Sequence, residues 1–327
     1  MTSTANDANT CCIVTGAAGF VGSHLAERLL SLGCRVIGID DFSSGCWENM
    51  SAFEKQPGFS FHECSVTSPG LLAEMRERHP AAACCFHLAA IVSVPYSVEH
   101  PEETMEVDCH AAVSLLREAE ELGFRRFVFA GSAAEYGDDG RLPLREEYAS
   151  EKTRHLSPYG RAKYLASAAV ASSRIGVALR CFNIYGPRQD PGSPYSGVIS
   201  RFVDMALQER SYTVFGDGMQ TRDFVFVSDV VDAYLCAAGL SGAVPAPPGV
   251  YNVGTGRATS IVELAETISA VEGRRARIEH LPERAGDIRH SVSVPEALER
   301  AAGWRSRVSL ADGLKETVSW ARTAGSR

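Results

Sequence analysis

An α/β fold is predicted for this chain: a doubly wound parallel sheet followed by a smaller, mixed α/β C-terminal lobe. Three observations predict it. Short apolar runs alternate with amphipathic stretches through the first half, the pattern of strands crossed over by helices. A glycine turn, Gly16-Ala17-Ala18-Gly19-Phe20-Val21-Gly22, joins the first apolar run to the first helical one. After Gly186 the rhythm breaks, because Pro187 to Gly197 holds three prolines and two glycines and must be loop.

Taken in order, Cys11 to Thr15, Arg35 to Ile39, Phe59 to His62, Cys84 to His87, Arg126 to Ala130 and Val177 to Cys181 have strand length and apolar content. Between most of them lie the helical stretches Val21 to Ser31, Leu71 to His79, Glu102 to Leu122 and Tyr159 to Arg174. Beyond the loop come a helix near Val198 to Gln208, a strand near Phe224 to Val227 and a helix near Asp229 to Ala238. Residues 242–249 form a second Pro/Gly-rich connector. Ser260 followed by Glu263 fits a capping box for a helix reaching Val271. The division expected is a dinucleotide-binding domain over 1–186 and a substrate lobe over 187–327, closing over the mouth of the sheet, with some exchange of segments between them.

Composition bounds the function. With 327 residues, 45% of them hydrophobic, the chain can bury a large core. A net charge of −8 offers no broad face to nucleic acid or anionic lipid. No apolar run approaches the ~18 residues of a membrane span. Met1 to Thr10 lacks the basic-then-apolar pattern of a signal peptide, so a cytoplasmic protein is expected. Ten cysteines form no Cys-x-x-Cys, and neither a metal site nor a disulfide framework is expected. The adjacent pairs Cys11-Cys12 and Cys84-Cys85 lie in apolar runs, where one thiol of each pair points to either face of the sheet.

The glycine turn has the context of a Rossmann-type dinucleotide site. Gly16 permits the tight turn, Gly19 lets the backbone approach a pyrophosphate, and Gly22 lets the helix pack on the strand. The helix N-terminus then faces the phosphates. Asp40 ends the second strand, 18 residues after Gly22, placed to accept hydrogen bonds from the adenosine ribose. A carboxylate there repels a 2′-phosphate, which predicts NAD as cofactor in preference to NADP. Asp41 adds negative charge. His87-Leu88-Ala89-Ala90 ends the fourth strand with small residues suited to close passage of the dinucleotide; His87 is equally a core histidine and carries no assigned chemistry.

Tyr159 and Lys163 lie four residues apart in a helical stretch, which puts phenol and ammonium on one helix face. Free tyrosine, with a pKa near 10, is a poor base. A neighbouring ammonium and the positive nicotinamide ring favour the phenolate. Ser132, just past the fifth strand, can relay a proton between a substrate alcohol and the phenol. Its alternative role is a helix or turn cap.

These residues, in this order, resemble the extended short-chain dehydrogenase/reductase family, and within it the nucleotide-sugar 4-epimerases acting on UDP-hexoses and UDP-N-acetylhexosamines. The resemblance runs from about Cys11 to Trp320. Segments 89–97, 180–188, 193–199, 216–224 and 284–287 carry it alongside the reactive pair. It implies catalysis by Tyr159, Lys163 and Ser132. It implies cofactor contacts from Gly16, Gly19, Phe20, Val21, Gly22, Asp40, Asp41, Ser43, Gly45, Ser65, Val66, Leu88, Ala89 and Ala90, with Tyr159 and Lys163. On the substrate side it implies Ser93, Val94, Ser132, Ala133, Tyr159, Asn183, Val198, Phe202, Thr213, Phe215, Gln220, Arg222, Arg284 and Asp287, with Arg222 and Arg284 gripping a diphosphate. The implied substrate is a UDP-hexose, and the implied assembly is a homodimer joined through Glu102 to Leu122 and Tyr159 to Arg174.

Sister reactions are the alternatives: a nucleotide-sugar 4,6-dehydratase, decarboxylase or 4-ketoreductase. Dehydratases of this group carry an Asp-Glu pair after the serine, where Ala133 and Ala134 stand here. Decarboxylases carry a glutamate at the place of Ala134. Glu135 is one residue off and is expected to face away. A non-catalytic dinucleotide sensor is the remaining alternative, and such proteins lack the Tyr/Lys pair. Asp108 departs from the family, which commonly has an asparagine there near the cofactor. Ser65-Val66 and Tyr96 depart as well, and Ser291 leaves room for a 2-acetamido group.

Overall fold

A computed structural model of the chain describes residues 10–189, 197–283 and 288–324. In chain order the elements are β1 (Cys11–Thr15), α1 (Phe20–Ser31), β2 (Arg35–Asp40), β3 (Phe59–Glu63), α2 (Leu71–Arg78), β4 (Ala82–His87), α3 (Val94–Glu99), α4 (Pro101–Met105), α5 (Ala111–Glu121), β5 (Arg126–Ser132), α6 (Pro158–Ala171), β6 (Gly176–Cys181) and β7 (Asn183–Tyr185). The second half adds α7 (Val198–Leu207), β8 (Tyr212–Phe215), β9 (Thr221–Arg222), β10 (Phe224–Phe226), α8 (Val227–Ala238), β11 (Gly249–Val253), β12 (Thr259–Ser260), α9 (Ile261–Val271), β13 (Ile278–Leu281), α10 (Glu296–Ala302) and α11 (Leu310–Ala324).

Seven strands form one sheet in the order β11-β6-β5-β4-β1-β2-β3. Every pairing within it is parallel. The order reverses between β1 and β4, so the crevice at their carboxyl ends is the place where such a sheet takes a ligand. This is the Rossmann-type α/β fold. Each face is covered by helices whose apolar stripe meets it. On one face Leu25 and Leu29 of α1 pack with Val230 and Tyr234 of α8. On the other, Leu71 and Met75 of α2, Leu115 of α5 and Val170 of α6 close the layer. Burying each such leucine side chain contributes roughly 1.5–3 kcal/mol. Cys12 and Cys84 belong to the first layer, Cys11 and Cys85 to the second, so each adjacent pair spans the sheet.

Two features differ from the sequence expectations. The stretch Glu102 to Leu122 is not one helix: α4 and α5 are joined by a π-helical turn, Glu106–His110. One extra residue in that turn shifts the helical phase, which a single 3.6-residue period does not show. The second is β11, which the Pro/Gly-rich connector before it hid. It adds to β6 as an edge of the main sheet, so the second half of the chain returns to complete the first.

The C-terminal elements have a core of their own, in which Phe202 and Val203 of α7, Tyr212 and Val214 of β8, Leu264 and Ile268 of α9 and Leu314 of α11 are buried. Ser260 caps α9 by accepting the Glu263 amide at 3.0 Å. Among the described residues, no helix is long and apolar enough to cross a membrane.

Candidate active site

The glycine turn is held by packing that leaves little choice of residue. Gly16 has φ +71°, and a Cβ on it would stand 2.8 Å from the Ala89 nitrogen. A Cβ on Gly22 would stand 1.9 Å from the Gly16 carbonyl oxygen, so α1 rests directly on the turn. Gly19 is the N-cap of α1 and makes no side-chain cap, and the first turn of the helix carries no acid. The open amides and the helix dipole there favour an anion.

Asp40, 7% exposed, accepts the Ala18 and Phe42 amides, each at 2.9 Å. Burial raises its carboxyl, and those amides oppose the rise. The loop after β2 folds back on the turn: Gly45 packs on Ala18, where a Cβ would lie 2.8 Å from the Ala18 methyl. Asn49 donates to the Ala18 carbonyl at 2.8 Å, a brace the sequence analysis missed. Asp41 is exposed and accepts the Ser43 amide at 3.0 Å. Phe20 and Val21 open α1 half-buried; Ser65 is half-buried with its hydroxyl on Thr67, and Val66 lies in the core beneath.

At the opposite wall, the Thr15 hydroxyl accepts the Leu88 and Ala89 amides at 3.1 and 3.2 Å and donates to His87 Nδ1 at 2.7 Å. His87 is fully buried, and burial pushes its pKa down to about 3. It is a neutral core histidine that orients the Thr15 hydroxyl, and Thr15 in turn holds the Leu88 and Ala89 amides. A tight left-handed turn, an uncapped helix N-terminus without acids and a carboxylate at the end of β2 fit a dinucleotide.

The reactive pair stands on α6. Ser157 caps this helix by accepting the Gly160 amide at 3.1 Å, and Pro158 opens it. A Cβ on Gly160 would lie 2.5 Å from the Ala134 carbonyl, so this glycine lets α6 approach the segment after β5. The sequence showed Tyr159-Gly160 but gave the glycine no role. Tyr159 keeps partial exposure while Lys163 is 2% exposed. The Lys163 ammonium lies 4.7 Å from the Phe129 ring centroid and 6.0 Å from that of Tyr159, within reach of a cation–π contact. Ser132 hydrogen-bonds the phenol, which favours its ionised form, while burial pushes the phenol well above its ordinary range. Ser132 also serves as a turn cap, accepting the Ala134 amide at 3.2 Å. Burial lowers Lys163, and Asp108 is the charge that most opposes this.

Ala133 and Ala134 follow in a 3-10 turn, Ala133–Tyr136, and present only methyl groups. Glu135 turns the other way. It is fully buried, accepts the Ser132 amide at 2.9 Å and the Ser167 hydroxyl at 2.8 Å, and pairs with the buried Arg180. A Cβ on Gly131 would fall 2.7 Å from its Oε1, so that glycine makes the room for it.

On the substrate side, Asn183 is exposed at the start of β7, and its amide bonds the Asp223 carbonyl at 3.0 Å. That bond brings it beside Arg222, half-buried on β9 with Nη1 on the Thr221 carbonyl at 2.9 Å. Gln220 donates to the Phe215 carbonyl at 3.0 Å and keeps a buried Oε1 with no protein partner. Thr213 and Phe215 alternate along β8 with the buried Tyr212 and Val214. Ser93 is buried as the cap of α3, with Val94 exposed beside it. Val198 is half-buried at the start of α7. Phe202 is only 2% exposed and packs on Tyr212 at 5.0 Å between centroids, in the core and not along the cleft. Arg284, Asp287 and the segment Ser193 to Ser196 lie outside the described residues.

Asp223 is a further residue of the site that no local sequence signal marks. Fully buried, it accepts the Thr255 and Gly256 amides at 2.8 and 3.0 Å and the Ser293 hydroxyl at 2.6 Å. It ties three loops behind Asn183 and Arg222.

Comparison with known proteins agrees with this geometry. Residues 12–254 match the model of the NAD dependent epimerase/dehydratase family. A UDP-glucose 4-epimerase of Mycolicibacterium smegmatis is 37% identical over 95% of this chain and 98% of its own length. A UDP-N-acetyl-alpha-D-glucosaminuronate decarboxylase of Bacillus cytotoxicus is 31% identical over 95% of this chain and 97% of its own. The crystal structure of the UDP-glucose 4-epimerase of Thermotoga maritima with UDP-glucose superimposes with a TM-score of 0.85 at 32% identity, covering 96% of this chain and 99% of that one.

Proposed function

The chain belongs to the NAD dependent epimerase/dehydratase family, and from that premise we propose that it inverts the hydroxyl at C4 of a nucleotide-linked hexose, a UDP-hexose foremost. The observation that carries the reading is the turn after Ser132. It presents two methyl groups where elimination needs a general acid, and it locks Glu135 in a buried ion pair with Arg180. Decarboxylases and dehydratases are relatives of the same fold, and this turn favours the reaction that needs no second acid at the sugar.

NAD is held by the glycine turn, Asp40 and the Leu88-Ala89-Ala90 backbone, and when bound it supplies reversible hydride acceptance at a ring carbon. Tyr159 takes the proton of the 4-hydroxyl. Ser132 steadies the phenol through its hydroxyl, and the Lys163 ammonium beneath the ring favours the ionised phenol. Asn183 and Arg222 anchor the diphosphate, joined by Arg284, while the oxidised sugar turns about that link and offers its other face. Tyr159 then returns the proton. Grip and proton transfer thus fall to different residues, so the sugar can swing without release of the nucleotide.

The polar segment Gln220 to Arg222, with the unpartnered Oε1 of Gln220, serves the nucleotide side of the cleft. The chain works as a homodimer whose subunits meet through the face made by α4, α5 and α6. Incubation with a panel of nucleotide sugars tests the proposal. A product of unchanged mass and inverted C4 supports it; loss of water or of carbon dioxide refutes it.

A further inference from the structure

Glu135 is fully buried, and its Oε2 faces the guanidinium of Arg180. Replacing such a pair by apolar side chains of like volume is often neutral for stability, so stability alone does not account for the carboxylate. Its other oxygen makes contacts that no apolar residue could. Oε1 accepts the Ser132 amide at 2.9 Å and the Ser167 hydroxyl at 2.8 Å. Ser132 closes β5, and Ser167 is fully buried on α6, farther along the helix than Tyr159. One oxygen therefore joins the strand end that carries Ser132 to the helix that carries Tyr159 and Lys163.

The surroundings are shaped around this junction. A Cβ on Gly131 would fall 2.7 Å from Glu135 Oε1 and 3.0 Å from Ser167 Oγ, so the glycine keeps open the space in which the two meet. Ser132 caps the turn, its oxygen accepting the Ala134 amide at 3.2 Å while Glu135 holds its own amide, a reciprocal capping box. The serine is thus gripped through its backbone, and the proton of its hydroxyl stays free to be donated. Arg180 holds the carboxylate from the other side and is itself anchored on the Glu146 carbonyl at 2.8 Å.

We infer that Glu135 is a positioning residue: its Oε1 binds Ser132 and Ser167 together and so fixes the place of the serine hydroxyl relative to Tyr159. The inference rests on Ser132 and Tyr159 as the proton-transfer pair, and it holds whichever reaction at the sugar follows.

A double-mutant cycle on the NAD-loaded protein tests it, with UDP-glucose and UDP-galactose as probes. Ser167→Ala cuts the tie to α6 and leaves the pair with Arg180. Its kcat is expected to fall about three- to tenfold with KM within about twofold of wild type, since a displaced catalytic group costs rate more than binding. In a Ser132→Ala background the same change should leave the residual kcat unaltered, because residues that act through one another are not additive. Ser167→Cys keeps a weaker donor and should fall between serine and alanine. An unchanged kcat in Ser167→Ala, or an equal loss in both backgrounds, overturns the inference, even if the melting temperature falls. Exchange of the Ser132 amide with solvent needs no sugar and should quicken about tenfold in Ser167→Ala; unchanged exchange overturns the inference as well, and it decides alone if neither probe reacts. Wild-type kcat in Ser132→Ala refutes the reading of Ser132 in the reaction, whereas failure of the inference alone shows as a slow Ser132→Ala beside a Ser167→Ala that is fast or merely additive.

Discussion

Gly160 and Ala134 are in backbone contact: a methyl group on Gly160 would stand 2.5 Å from the Ala134 carbonyl oxygen. This contact sets how closely the helix bearing Tyr159 approaches Ser132. By propensity alone, Gly160→Ala would stabilise α6 by roughly 1 kcal/mol. The contact reverses that sign, because neither the carbonyl nor the helix can give way without moving the other. We expect a lower melting temperature and a fall in kcat of about tenfold or more, since displacements near 1 Å carry such losses. Affinity for NAD should fall by less than kcat, because the glycine turn and Asp40, which hold the adenosine end, do not belong to α6. Steady-state kinetics and a dinucleotide titration check both parts, and an unchanged kcat would remove the contact from the positioning of Tyr159.

Tyr159→Phe keeps the ring against Lys163 and deletes the group that moves the proton. A fall in kcat of about 10²–10⁴ is expected, with NAD and nucleotide-sugar binding retained. The phenol is raised by burial, so wild-type kcat should climb with pH through the neutral range as the ionised fraction grows. That climb should vanish from the residual rate of the variant. Ser132→Ala, which also loses the cap on the Ala134 amide, should fall by less. A pH series of initial rates separates the three proteins.

Much of this architecture was legible in the sequence because its signals are local. Cys11 to Thr15 followed by Gly16, Gly19 and Gly22 specifies strand, turn and helix within a dozen residues, and the spacing of Tyr159 and Lys163 fixes their shared face. What was not legible depends on partners distant in the chain. β11 becomes a strand because it pairs residue for residue with β6, from Gly249 opposite Val177 to Val253 opposite Cys181. Nothing in its own short, half-exposed run announces this. Asp223 looked like one more polar residue of a Gly/Asp turn, yet it is the buried hub of three loops, including the hydroxyl of Ser293, 70 residues away. The π-turn at Asp108 was hidden for another reason: one inserted residue leaves the apolar spacing on either side intact and alters only the phase between them.

Glu135 and Arg180 are both buried and are paired. Glu135→Gln keeps the shape of the side chain and leaves the guanidinium without a counter-charge. A broken buried pair of this kind costs about 3–5 kcal/mol, so a marked drop in the denaturant midpoint is expected. The identity of the product should not change, because the carboxylate is fully buried and occupied by Arg180, Ser167 and the Ser132 amide. Product mass and configuration, measured on whatever fraction remains folded, decide this. A variant that loses turnover while keeping full stability would make Glu135 a participant in the reaction.

The pH dependence of stability follows from buried groups whose shifts oppose one another. His87 is fully buried and its pKa is depressed from the ordinary 6.5 to about 3, with desolvation the larger cause and the Lys163 charge the next. Its folded value lies below its unfolded value, so the unfolded chain takes up a proton first as pH falls from about 6.5. Stability is therefore full above that value and is lost toward 3, by roughly 1.4 kcal/mol per pH unit. His24, lowered to about 4 mainly by burial, adds to the loss in the same direction. Asp108 is raised from 3.8 to about 6, so it contributes the opposite slope, stabilising below 3.8 and losing that contribution as pH rises through 6. Burial also lowers His62, His79 and His155 and raises Asp40, Glu146 and Asp229; the two histidines displaced furthest, His87 and His24, set the sign, a net fall in stability between pH 6.5 and 4. Denaturant midpoints at pH 7, 6 and 5 should decline in sequence. The decline should be shallower in His87→Asn, which keeps an acceptor for the Thr15 hydroxyl and cannot gain a proton. Parallel declines in the two proteins would show that His87 titrates normally and is not the neutral core residue that its burial and its bond to Thr15 indicate.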